Sequence, residues 1–140
     1  MLSEQLGLRD TVRFIDPVPP GHVVDAARHH DVGVVMYRSE TLNDYLAAPN
    51  KLFDYMGAGL AVLGVRLPMI EQVVEQEGVG VLFEPDDIET LVSAMVRLVD
   101  DVQAVREMKQ RSLAACPRYS WSAQEPILLE AAGVRPCDVT

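Results

Sequence analysis

Hydrophobic positions in this chain fall into short unbroken runs separated by helical stripes, and that alternation predicts the fold. Val32-Gly33-Val34-Val35-Met36, Leu60 to Val65 and Gly80-Val81-Leu82-Phe83 are continuous in their hydrophobicity. Runs of this kind suit strands covered on both faces, as in a parallel sheet. Thr11-Val12-Arg13-Phe14-Ile15 is a further β-rich run, closed by the proline-dense Asp16 to Gly21. Between the runs, helical spacing predicts helices over His22 to His30, Asn50 to Met56 and Pro68 to Gln76. Gly57 and Gly59 end the second, Gly59 as a left-handed cap. Pro68 suits the first turn of the third.

The remainder reads as helical. Asp87 is the expected N-cap of a helix through Val99, with Ile88, Leu91, Val92, Met95 and Leu98 on one face. A second amphipathic helix covers about Val102 to Ala115, Pro117 breaks it, and a last helix is expected near Ala123 to Ala132. Met56, Met95 and Met108 are expected in the core, and Tyr119 and Trp121 as packing anchors of the last helix. No repeat or low-complexity segment interrupts the pattern. Strands alternating with helices predict an α/β fold with a mostly parallel sheet of about four strands flanked by helices. Ligands in such folds sit at the carboxyl ends of the strands, which singles out the loops Asp16 to Gly21 and Tyr37 to Pro49.

Composition narrows the function. The chain has 140 residues, 21 acidic against 12 basic, and a net charge of −9. A broad nucleic-acid footprint needs clustered Lys and Arg, so that class is excluded, whereas a small anion site is not. No apolar stretch reaches the length of a membrane span, and Met1 to Gln5 lacks the basic and apolar regions of a secretory signal. Cys116 and Cys137 stand apart from any CxxC or Cys/His cluster and read as free thiols of a cytoplasmic protein. Metal-ligand spacing is absent: His29 and His30 are adjacent and point in different directions on a helix. No cofactor is expected.

The candidate chemistry lies where the Tyr37 to Pro49 loop enters a helix at Asn50-Lys51-Leu52. The N–H groups of a helix N-terminus, joined by a lysine, form a site for phosphate. One turn further, Asp54 offers a carboxylate for two vicinal hydroxyls, as on a ribose. The alternative is a solvated Lys51 and an Asp54 that favours the helix dipole. Arg38, Ser39 and Asn43 lie in the same loop, either against a transferred sugar or simply in solvent.

Ala48-Pro49-Asn50-Lys51-Leu52-Phe53-Asp54-Tyr55-Met56-Gly57-Ala58-Gly59-Leu60-Ala61-Val62 resembles the PNK-(L/F)-F-E-Y-M-A-A-G-L-P-V signature of group-1, or family 4, retaining glycosyltransferases of GT-B architecture. Further agreement follows in register at Pro68 to Glu71, Gly78 to Phe83, Glu84 to Asp87 and Tyr119 to Trp121, and upstream at Thr11 to Asp16. The resemblance spans roughly residues 5 to 132. It implies a Rossmann-like donor-binding domain over residues 1–134, with 135–140 a disordered tail. It also implies a nucleotide-diphosphate sugar as donor and transfer of a hexosyl group to an acceptor hydroxyl. The family's helix N-terminus faces the donor diphosphate, which implies a donor-binding set of Asn50, Lys51, Leu52 and Asp54.

This chain departs from the family at several places. Asp54 replaces the ribose-binding glutamate, Leu46 stands where an earlier acid would be, Ala61 replaces a proline, and Asp16 replaces a glycine. Two βα units and the separate acceptor domain of the family have no counterpart in these 140 residues. The chain is therefore expected to be a fragment, inactive alone, whose partner is an acceptor domain or a separate subunit. In the family's strand order 3-2-1-4-5-6, strands 1 and 2 are missing, so Thr11 to Ile15 is expected to pair directly with Val32 to Met36. The reading from another class is a non-catalytic α/β nucleotide-binding or interaction module.

Overall fold

The three apolar runs that carry no charge form the sheet of the computed structural model, which describes residues 2–133. In chain order the regular elements are α1 (Leu2–Gln5), α2 (Val23–Ala27), β1 (Val32–Val35), α3 (Leu42–Leu46), α4 (Asn50–Ala58), β2 (Ala61–Val65), α5 (Pro68–Glu77), β3 (Gly80–Phe83), α6 (Ile88–Asp100), α7 (Val102–Ala115) and α8 (Trp121–Ala131). The strands pair in the order β1-β2-β3, both pairs parallel, with Val32 opposite Ala61 and Val62 opposite Gly80. The α/β, Rossmann-like class is as expected. The central strand β2 is buried along all five residues, as unbroken hydrophobicity requires of a strand covered on both faces.

Thr11 to Ile15 is not a strand, and the sheet has three strands rather than four among the described residues. The Thr11 and Val12 N–H groups both turn back to the Leu8 carbonyl, at 3.1 and 2.8 Å, which ties the start of the run into a local turn. Pro17, Pro19 and Pro20 then remove ladder donors. Ile15 and Val18 reach the groove beside β1 without a ladder, while Phe14 and Ile15 remain exposed. A parallel strand needs cover on both faces, and on this edge the five-residue α2 is too short to supply it. The tail at 135–140 lies outside the described residues.

Other boundaries shift for local reasons. The helix expected from His22 to His30 is a short turn, Pro20–His22, followed by α2. The stretch from Tyr37 to Pro49 contains α3, built on a reciprocal capping box. The Asp44 N–H donates to Thr41 Oγ1 at 3.1 Å, and the Thr41 N–H donates to Asp44 Oδ2 at 3.2 Å. Gly57 lies inside α4, and Gly59, with φ 74°, caps it in the left-handed region. Asp87 caps α6 as expected, accepting from the Glu89 and Thr90 N–H groups. The buried stripe of α6 runs through Leu91, Ala94 and Leu98, whereas Ile88, Val92 and Met95 are exposed. Met56 is in the core and Met108 packs against it, but Met95 does not. Among the described residues no helix is long and apolar enough to cross a membrane.

Leu52, Met56, Val35, Val62, Leu63 and Ile70 centre the core. Two polar tethers bind the C-terminal helices to it. The fully buried Ser112 donates from Oγ to the Leu60 carbonyl at 2.7 Å, joining α7 to the turn that feeds β2. At the end of α5, Glu77 pairs with the Arg118 guanidinium and accepts the Tyr119 hydroxyl at 2.9 Å. The Arg118 hydrogen bond, with that from Tyr119 adding, holds the Glu77 carboxyl below its ordinary value of 4.5. Burial, followed by the bond to Glu77, pushes the Tyr119 phenol up.

Two stability outcomes follow from these tethers. Ser112→Ala leaves the buried Leu60 carbonyl without its partner and should cost about 1–3 kcal/mol in denaturant unfolding; a loss below that range would show another partner taking over. Because the folded chain keeps Glu77 ionised at lower pH than the unfolded chain, its clamp contributes fully above pH 4.5. That contribution is lost as pH falls through the depressed value. The Tm difference between the protein and Glu77→Gln should therefore be present at neutral pH and close under acid, whereas a gap independent of pH would contradict the clamp.

Candidate functional site

The carboxyl end of β1 leads through the loop and α3 to the first turn of α4, the position at which an open α/β sheet accepts ligands. Pro49 is the N-cap residue of α4, and no side chain caps the helix. A helix start without a side-chain partner leaves its amides for solvent or a ligand. The rotation of α4 is set by its apolar side: Leu52 and Met56 are fully buried. Asn50 and Asp54, spaced i and i+4, therefore share the opposite face, and Phe53 lies at its border, packed against the core.

That face forms one side of an open cleft of about 470 Å³. Phe53 and Tyr119 line it, and their rings stack with centroids 5.3 Å apart and planes 28° from parallel. Asn50, Asp54 and Gln124 supply polar groups to the lining, and Pro20, Val23 and Trp121 supply apolar walls. A larger groove of about 720 Å³ lies between α6 and α7, beside Asp31 and Val32 at the start of β1. It is at the wrong end of the strands for a ligand of an α/β sheet.

The sequence-derived residues divide accordingly. Asn50 and Asp54 meet in the cleft. Lys51, exposed on the same turn, has its ammonium 5.4 Å from the centre of the Tyr37 ring. Leu52 differs from the expectation of a ligand contact: its side chain is core, and its N–H is taken by the Pro49 carbonyl at 3.0 Å. Arg38 is exposed and pairs with Glu40 at 3.4 Å. Ser39 and Asn43 are exposed on the loop and on α3. Leu46, where the family's earlier acid would stand, is exposed at the end of α3.

A further basic group stands just beyond the carboxyl end of β2, but it is committed. Arg66 bonds Glu71, Glu75 at 3.0 Å and Glu84 at 2.8 Å, and these carboxylates, Glu71 foremost, raise its pKa. Three carboxylates around one guanidinium leave it poorly placed to bind an anion.

Sequence reasoning missed the C-terminal side of the cleft. Tyr119 is the packing anchor expected of it, but Trp121 is 66% exposed and faces the cleft instead. No local pattern signals this, because the contact joins residues nearly seventy positions apart. Phe53 has the helical spacing of a residue that packs inward with Leu52 and Met56, and it does pack against the core while its ring also lines the cleft.

Comparison with known proteins bears on what the cleft serves. The family model described as "Glycosyl transferases group 1" matches residues 1–101. D-inositol 3-phosphate glycosyltransferase from Corynebacterium glutamicum is 25% identical over 122 residues, covering 87% of this chain and 28% of the relative. The enzymes of the same name from Nocardia farcinica and Corynebacterium efficiens are each 26% identical, covering 93% and 98% of this chain but 28% and 32% of their own lengths. The chain thus spans about three-tenths of the curated relatives it matches. The matched stretch runs from before β1 through α6 and includes α4 whole, and on that evidence the chain belongs to the group 1 glycosyltransferases.

Proposed function

We propose that this chain is the donor-binding portion of a retaining glycosyltransferase of GT-B architecture, holding a nucleotide-diphosphate sugar while a hexosyl group passes to an acceptor hydroxyl. The observation that carries the reading is the uncapped start of α4, with Asn50 and Asp54 turned into a cleft, inside the stretch that matches the family. In this reading the first-turn amides at Asn50 and Lys51 and the Lys51 ammonium receive the diphosphate. Asp54, one turn on, accepts the ribose hydroxyls. Arg38, Ser39 and Asn43 face the sugar that is transferred.

Energetics favour this use of the basic groups. The contact of Lys51 with Tyr37 is at the surface, where a cation–π pair is worth about 0.5–1 kcal/mol. A charge-assisted hydrogen bond to phosphate is worth about 1.5–3 kcal/mol, so the ligand wins the lysine. The exposed Arg38–Glu40 pair, at about 0–1 kcal/mol, is as easily exchanged. Donors fixed at the helix start before reaction would stabilise charge as it develops on the leaving diphosphate, without reorganising at the moment of cleavage. The acceptor site would come from a partner domain or subunit, which fits the share of its relatives that the chain spans.

Calorimetric titration with UDP, GDP and ADP tests the reading. One of them should bind, and Asp54→Ala should weaken it by about 1–3 kcal/mol through lost hydrogen bonds to ribose. An unchanged affinity would remove Asp54 from the site, and no affinity of the unaltered chain for any of the three would overturn the reading.

A further inference from the structure

Trp121 is the chain's single tryptophan, and it stands 66% exposed at the first position of α8. An exposed indole is often just a mobile surface side chain, but the backbone around this one is fixed from several directions. Two residues before it, Tyr119 stacks on Phe53 and bonds Glu77. Beside Tyr119, Arg118 pairs with Glu77. From within α8, Gln124 Nε2 donates to the Arg118 carbonyl at 2.8 Å. The turn is thus clamped to α4 and α5 while the indole is left uncovered along the cleft that contains Asn50 and Asp54.

The chemistry gathered around this cleft suggests its occupant. Asn50 stands at the uncapped start of α4, Asp54 lies one helical turn on, and Trp121, Pro20 and Val23 line the same cleft, with Lys51 exposed on the first turn beside it. Anion site, diol acceptor and aromatic face match, group for group, what a nucleoside diphosphate presents: phosphates, ribose, base. A flat base also suits an indole better than it suits an aliphatic wall, since stacking uses the whole ring face.

We propose that Trp121 is the base-stacking wall of this cleft, so that the segment opening α8 completes the nucleoside subsite begun by α4. The inference rests on the donor-binding reading above and adds to it a residue from outside the matched stretch, which ends at residue 101. Stacking on a clamped side chain costs little ordering on the protein's side, because the backbone of the turn is already held. The wall is not tied to one base, since every base has a π-face.

Fluorescence of this single tryptophan reads the cleft directly. The 140-residue chain is titrated with UDP, GDP and inorganic pyrophosphate, each followed by emission and by calorimetry. The expected result is saturable quenching by a nucleoside diphosphate and none by pyrophosphate. Trp121→Ala should weaken the nucleoside diphosphate about tenfold, the scale of one base–aromatic stack, and leave pyrophosphate unchanged. Trp121→Phe should recover most of the loss, which a general loosening of the fold would not. Calorimetric binding of UDP or GDP with silent tryptophan emission and an unaffected Trp121→Ala would overturn the stacking wall and leave the donor-binding reading standing. Equal affinity for pyrophosphate and for both nucleoside diphosphates would overturn the wall as well. No binding of any of these, nor of ADP, to the unaltered chain would overturn the donor-binding reading, and the wall with it.

Discussion

The burial of Leu52 and Met56 fixes the rotation of α4, and most of what the molecule can do depends on that rotation. Both side chains are fully enclosed, each worth roughly 1.5–3 kcal/mol relative to exposure. A turn of the helix about its axis would sacrifice both at once. With them locked inward, Asn50 and Asp54 have one direction left to face. Phe53 then carries the order onward: its stack with Tyr119 draws the segment before α8 across the helix and closes the second side of the cleft. Ser112 on α7 and Glu77 on α5 hold the surrounding elements in register with that arrangement.

The same packing leaves two surfaces open among the described residues. The Ala61 N–H donates to the Asp31 carbonyl at 2.9 Å, so by strand alternation the backbone groups of Val32 and Val34 turn toward the far edge of β1. Along α6, Ile88, Val92, Met95 and Val99 are exposed as one stripe. Apolar side chains spaced for burial but left uncovered belong to a face that other structure would normally cover.

Much of this was legible in the sequence. Runs without charge, such as Leu60 to Val65, became the buried strands because nothing in them needs water. Gly59 and Asp87 acted as caps because their conformational and hydrogen-bonding preferences are local. At α4 the sequence singles out Asn50 and Asp54, whereas the lining role of Phe53 depends on its distant partner Tyr119. What failed was decided by distant neighbours. Thr11 to Ile15 has strand propensity, but propensity forms no ladder where a flanking layer is lacking. Met95 has helical spacing, but no element covers its side of α6. Trp121 has the composition of an anchor, yet its clamped backbone presents it outward. The capping box Thr41–Asp44 is the exception: it is local, and it overrode the irregular look of the loop around α3.

The central claim is that the uncapped start of α4 is where a nucleoside diphosphate docks. Backbone amide spectra of the isotope-labelled chain, recorded as UDP or GDP is added, test it most directly. The account predicts the largest shifts at Asn50 and Lys51, smaller ones at Asp54 and Trp121, and an undisturbed β3. Shifts centred on the α6–α7 groove, around Leu98, Val102 and Val105, with the start of α4 unmoved, would contradict it.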